Sequence, residues 1–195
     1  MKSSRWSWLA LIAILAALWA ALELVVGTTL YALRVPLRGQ MLTVFTLPIM
    51  LAARWIVPQR GSVAAVGVIA AAVRWLLGGA FAPQISLAII LEAAFVELGL
   101  GRVQDAGISR WKAALAGALC MSYSAAHPIL FWGLLMGGGR DVKLPVGLHG
   151  MAIFGGILLI HFSIGALVGL WSLLIIKKIP VPALHAIRVK ANTAK

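Results

Sequence analysis

Negative charge is nearly missing from this 195-residue sequence: five Asp and Glu stand against 17 Lys and Arg, for a net charge of +12. Cysteine is rarer still. The single Cys120 cannot form an internal disulfide, so the redox compartment is not written in the chain. No G-x-x-x-x-G-K-S/T segment occurs, so no nucleotide-binding loop of that kind is present and any ATP-driven work falls to partners. Low-complexity linkers, internal repeats and loops long enough to hold a soluble catalytic domain are also lacking. The chain is not expected to be an enzyme.

What it has is hydrophobicity in blocks. Hydrophobic residues make up 62% of the sequence, and Lys143 and Lys177 bracket 33 positions free of Asp, Glu, Lys and Arg. Mean hydropathy is +1.00, more than a soluble core of this size requires. A helix needs about 20 apolar residues to cross the hydrocarbon core, and closed helices satisfy their own backbone hydrogen bonds in lipid. The apolar runs are too continuous for barrel strands. The expectation is an all-α membrane protein, a compact bundle of six transmembrane helices over roughly 7–31, 41–57, 62–77, 84–100, 111–136 and 149–176. Residues 1–177 form one domain in this reading, and 178–195 a basic cytoplasmic tail.

The positive charge suits a membrane better than nucleic acid. With the N-terminus inside, twelve basic residues fall on the cytoplasmic side, among them Lys2, Arg5, Arg54, Arg102, Lys177 and Lys178. Five fall outside: Arg34, Arg38, Arg74, Arg140 and Lys143. That asymmetry gives N-in and C-in by the positive-inside rule, with the tail near anionic lipid headgroups. Lys2 and Arg5 before an apolar run also resemble the start of a signal peptide, but the run continues past Glu23 for a full span and is expected to stay.

Span one carries Ala13, Ala17 and Ala21 four residues apart, one stripe of small side chains, with Ala16, Ala20 and Gly27 beside it. In lipid such a stripe lets a second helix approach closely. Spacing alone leaves open whether that helix belongs to this chain or to another protein. Ionisable groups within the spans are Glu23, Arg74, Glu92, Glu97, His127 and His161. Each is costly there unless paired or hydrated, so each is a functional candidate. With N-in topology, Glu23, Arg74, Glu92, His127, Gln40, Thr43, Thr46, Gln84 and His149 all fall in the outer half, as an outward-facing pocket for a small polar molecule requires. Glu97 falls near the inner end and is expected to reach toward Arg102 or Arg54. His161, mid-span among Gly155, Gly156 and Gly165, is expected to be buried and hydrogen-bonded.

Span five has one coherent face: Cys120, Tyr123, Ser124 and His127 follow at helical spacing. Pro128 removes a backbone donor and frees a carbonyl in the preceding turn. His127 and Tyr123 suit ligand contact or a hydrogen-bonded helix interface. Trp132, one turn further, suits either an aromatic ligand or the interfacial belt. The first outer loop, Tyr31 to Gln40, holds Arg34 and Arg38, which suit the steering or clamping of an anionic group.

Taken together, these features resemble the S components of energy-coupling factor (ECF) transporters. The resemblance covers about residues 7–177. It rests on size, six spans, N-in topology, basic cytoplasmic ends, the Ala13–Ala17–Ala21 stripe, and the segments "PLRGQMLTVFTLPIMLAARWIVPQRGS" and "IILEAAFVELGLGR". It implies a substrate-binding subunit in a bacterial or archaeal cytoplasmic membrane, capturing a vitamin, vitamin precursor or similar micronutrient at the outer face. It implies as partners a transmembrane coupling subunit, docked on the alanine stripe, and two ATPase subunits; no cofactor and no resident metal are implied. Substrate would lie beneath the first loop, mainly against spans four to six. That maps the site onto Glu92, His127, Trp132, Gln40, Arg38, Arg34, Tyr123 and His149. A Glu in span four, a His in span five and a nearby Trp are similar to the thiamine-binding members. The Tyr and Asn those carry after span five are absent; His149 and the Gly137–Gly139 run stand instead, and the only Asn is Asn192. Cobalt- and nickel-binding relatives place a histidine close behind Met1, where this chain has Lys2.

Two other classes fit the residues. His127 and His161 are placed to ligate a b-type haem axially, with Arg74 or Arg140 at its propionates. The chain also suits a structural subunit of another membrane complex.

Overall fold

The computed structural model describes residues 3–35, 37–77, 82–102, 107–131 and 148–178, with backbone alone at 3–7, 82, 148 and 149. Six helices account for nearly all of them: α1 Ser3–Ala32, α2 Arg38–Ile56, α3 Ser62–Leu77, α4 Ala82–Leu100, α5 Arg110–Leu130 and α6 Leu148–Lys178. No strand occurs among the described residues. Each expected span falls on one helix. Span five was expected to reach residue 136; α5 runs to Leu130, and 132–136 lie outside the described residues, as does the tail from 179.

Five helices are long and apolar enough to cross a membrane. The exception is α3, whose 16 residues cover about 24 Å at about 1.5 Å per residue. The outward surface is apolar too: Leu9, Ile14, Leu18, Val25, Leu98, Leu159, Leu167 and Trp171 are all exposed. So much exposed hydrocarbon suits lipid and not water.

The first helix is rich in Ala and Leu and lacks proline. Its end is a Schellman motif, with the Val35 N–H donating to Leu30 O and the Arg34 N–H donating to Tyr31 O, both at 3.0 Å. Arg34 occupies the left-handed position, at φ 52°, where glycine is the usual residue. Leu37, at φ 56°, then turns the chain into α2.

The helices follow one another around the bundle in the order α1, α3, α4, α5, α6, and α2 closes the circuit between α6 and α1 while also packing against α5 and α3. The core fills the half farther from the first loop, with Trp19, Met50, Leu51, Val66, Ala93, Val96, Leu100, Ala116 and Leu173 buried in one cluster. The tightest helix pair is α5 with α6. A Cβ built on Gly165 would lie 2.3 Å from the Gly117 carbonyl oxygen, and one on Gly169 would lie 2.1 Å from that of Ala113. Those helices touch backbone to backbone, which only small residues permit. Gly99 meets the Ala116 backbone the same way between α4 and α5, and Gly67 makes room for the Ala93 methyl between α3 and α4.

Burial separates two faces of α1. Ala16, Trp19 and Ala20 face the core, whereas Ala13, Ala17 and Ala21 are exposed on the opposite face. Among the described residues, no helix of this chain covers the four-residue stripe.

At the end away from the first loop, Arg54 Nη1 donates to Glu97 Oε1 at 2.8 Å. Glu97 was expected to reach Arg54 or Arg102, and Arg54 is its partner. Arg54 is 1% exposed, so it is a buried structural charge and not only a topology signal.

Candidate functional site

Toward the first-loop end the bundle opens into a cavity of about 850 Å³, lined by residues from all six helices. The first helix contributes Glu23, Gly27, Thr28 and Tyr31; α2 contributes Gln40 and Leu42; α3 contributes Arg74. Gln84, Ile85, Ile89 and Glu92 come from α4, Ser124, His127 and Pro128 from α5, and Ile157 and His161 from α6. The walls are mostly apolar with a few convergent polar groups, the usual make-up of a small-molecule site. Glu23, Glu92, Arg74 and His127 are the buried ionisable groups, at 7, 7, 8 and 9% exposed.

Polar contacts tie these side chains to one another. Thr43 Oγ1 lies 3.1 Å from Glu92 Oε1, 3.0 Å from Ser124 Oγ and 2.9 Å from the Gly39 carbonyl oxygen. Its single proton serves one acceptor at a time, so the Ser124 hydroxyl can donate to Thr43 when Thr43 donates to Glu92. This cluster joins α2, α4 and α5 beneath the cavity. Trp19 Nε1 donates to Glu23 Oε1 at 3.4 Å.

The proline in α5 has a visible consequence. Residue 128 has no N–H to donate to the Ser124 carbonyl, four positions back. Gln40 Nε2 from α2 donates to that carbonyl instead, at 3.4 Å. Gln40 therefore repairs the helix it faces as well as lining the cavity. One position before the proline, His127 Nδ1 lies 2.7 Å from Tyr123 OH. When the phenol donates, the ring proton sits on Nε2. That Nε2 has no hydrogen-bond partner, nor has Arg74 Nε. Tyr123 stacks on Phe95 with ring centroids 4.9 Å apart, which fixes it behind His127.

Of the residues expected at the site, Glu92, His127, Gln40 and Arg38 line the cavity. Tyr123 holds His127 from behind. Arg34 sits apart, with Tyr31, Val35, Leu37 and Arg38, around a second hollow of about 520 Å³ at the first loop. The Arg38 guanidinium lies 4.5 Å from the Tyr31 ring centroid, a cation–π contact at the mouth. Trp132, Arg140 and the Gly137–Gly139 run lie outside the described residues, as does the His149 side chain.

One outcome differs from the sequence reading. His161 is not a buried histidine: it lines the cavity and is partly exposed, with Nδ1 donating to the Ile157 carbonyl at 2.8 Å. Spans four to six supply more than half of the cavity lining, and Glu23, Tyr31 and Arg74 bring α1 and α3 into it as well. Glu23, Arg74 and Gln84 belong to the same cavity as Glu92. Their depth in the apolar runs puts them in the same outer half as Glu92, although the resemblance does not map the site onto them.

Among the described residues, no group of three or more His, Cys, Asp and Glu is arranged to hold a metal ion. No family model, curated protein or solved structure matches this chain.

Proposed function

We propose that this chain is the substrate-binding subunit of an ECF-type importer. In this reading all six helices, α3 included, span a bacterial or archaeal cytoplasmic membrane with both termini inside. The cavity faces outward and captures a vitamin, vitamin precursor or similar micronutrient. Glu92 and His127 contact polar parts of the ligand, and Arg38 and Arg34 guard the mouth. A transmembrane coupling subunit docks along Ala13, Ala17 and Ala21, and two ATPases supply the energy. The chain itself catalyses no reaction.

One observation carries the reading. The two faces of α1 divide the work: Glu23 and Gly27 turn into the cavity, while Ala13, Ala17 and Ala21 present a free small-residue track outward. A helix so arranged joins ligand binding to association with another membrane helix. The test is mass spectrometry of small molecules released from the purified protein, followed by rebinding of the identified compound. A stoichiometric micronutrient that rebinds supports the proposal; a protein that neither retains nor rebinds any small molecule contradicts it.

A second reading is favoured by one specific observation: His127 and His161 line the same cavity. Axial ligation of a b-type haem by that pair would produce a Soret band in the purified protein, and its absence from haem-supplemented cells would remove this reading.

A further inference from the structure

The cavity's charges do not balance. Glu23 and Glu92 enter it from α1 and α4, and Arg74 enters from α3, the helix that packs against both. Among the described residues neither acid has a cationic side chain within 4.0 Å; the one ion pair is Arg54 with Glu97, at the other end of the bundle. Arg38 sits at the mouth, exposed and stacked on Tyr31. Two acids and one buried guanidinium thus line the cavity, with no ion pair among them.

Depth sharpens the point. Glu23 lies nine residues from the end of α1, and Glu92 ten from the start of α4. At about 1.5 Å per residue both sit roughly 13–15 Å below the first-loop ends of their helices. Arg74 is only three residues from the end of α3. The acids therefore form the floor, and the guanidinium stands nearer the mouth. An unpaired carboxylate at such a depth is costly, and a partner is expected.

Two further side chains that line the same space carry buried donors without partners. His127 Nε2 and Arg74 Nε have no hydrogen-bond partner, on side chains no more than 9% exposed. A hydrogen-bond acceptor on a bound molecule would complete them. The remaining wall, including Leu42, Ile85, Ile89, Pro128 and Ile157, is apolar.

We propose that the ligand is a small organic cation with an apolar or aromatic body, whose positive nitrogen is shared by Glu23 and Glu92 at the cavity floor. Its hydrogen-bond acceptor faces Arg74 and His127. An anionic ligand would add a third negative charge above the two carboxylates. This inference rests on the cavity being the ligand site, and not on the ATPase-driven partnership.

Three probes of one shape test it by calorimetry on the purified protein: 1-methylnicotinamide as the cation, nicotinamide as the neutral form and nicotinate as the anion. The cation is expected to bind at least ~10-fold more tightly than nicotinamide, and Glu23→Gln and Glu92→Gln are each expected to erase at least ~10-fold of that preference. A second readout needs no variant. The cation should protect Glu23 and Glu92 of the wild-type protein from a membrane-permeant carbodiimide, read by peptide mass spectrometry. Failure of the cation to bind, equal binding of cation and neutral probe, tighter binding of nicotinate, or undiminished carbodiimide labelling would each overturn the proposal. Failure of the importer reading would look different: coupling partners would be absent while the cation still bound.

Discussion

Arg54 and Glu97 form a 2.8 Å ion pair that gathers four backbone groups at the end of the bundle opposite the first loop. Arg54 also donates to the Gln59 carbonyl, in the loop after α2, and to the Gly101 carbonyl past the end of α4. Glu97 accepts from the Gly61 and Val63 N–H groups at 2.8 and 3.2 Å, capping α3. Removing one member strands a charge and several backbone groups. Glu97→Gln or Arg54→Ala is expected to cost about 3–5 kcal/mol. The double Arg54→Met, Glu97→Met variant should recover part of that loss, and thermal unfolding in detergent compares the three. A double variant worse than the sum of the singles would contradict this account of the pair.

The α5–α6 contact is expected to be intolerant of one methyl group. In Gly165→Ala the new Cβ meets the Gly117 carbonyl oxygen and Met121 Cβ, at 2.3 and 2.7 Å before relaxation. Overpacking of this kind costs about 1–3 kcal/mol. Gly155→Ala on the same helix meets nothing within 4 Å and should be neutral or slightly stabilising, because alanine favours helix. Unfolding midpoints of the two variants should therefore move in opposite directions or differ clearly in size.

Span positions were readable in the sequence because charge is so sparse that the gaps between apolar blocks stand out. Depth was readable for the same reason, and it placed Glu92 and His127 correctly in one half of the bundle. Pairing was not readable. Glu23 and Glu92 are 69 positions apart, and only the packing of α1 and α4 on either side of α3 brings them to one floor. The turn after α1 was hidden because Arg34 and not glycine takes the left-handed position. Gln40's bond to the Ser124 carbonyl was half visible: Pro128 announced the orphan acceptor, but not which side chain would reach it.

Orientation is testable by thiol labelling in intact cells. In a Cys120→Ala background, Leu33→Cys in the exposed first loop should react with an impermeant thiol reagent from outside. Gln59→Cys, exposed at the other end, should react only after permeabilisation. The reverse pattern would invert the topology inferred from the twelve-to-five distribution of basic residues.

Ligand contacts should divide into holding and steering. Losing one partner of a buried charged contact costs on the order of 2–5 kcal/mol, so Glu92→Gln or His127→Ala should weaken binding of the native ligand roughly 30-fold or more. Arg38→Ala, at the mouth, should mainly slow association. Stopped-flow and equilibrium binding with the identified ligand separate these effects. Wild-type affinity in both Glu92→Gln and His127→Ala would leave those groups as structural polar pairs.

The most direct test of the importer reading is affinity purification of the tagged chain from its native membranes, wild type beside Ala17→Trp, with mass spectrometry of the associated proteins. Ala17 is exposed on α1, so a tryptophan there blocks an external track without entering the core. The wild type is expected to bring down one transmembrane coupling subunit and two ATPase subunits. The variant is expected to lose all three while still binding ligand. Recovery of no ATPase with the wild type, or of the same ATPases with a folded Ala17→Trp variant, would contradict it.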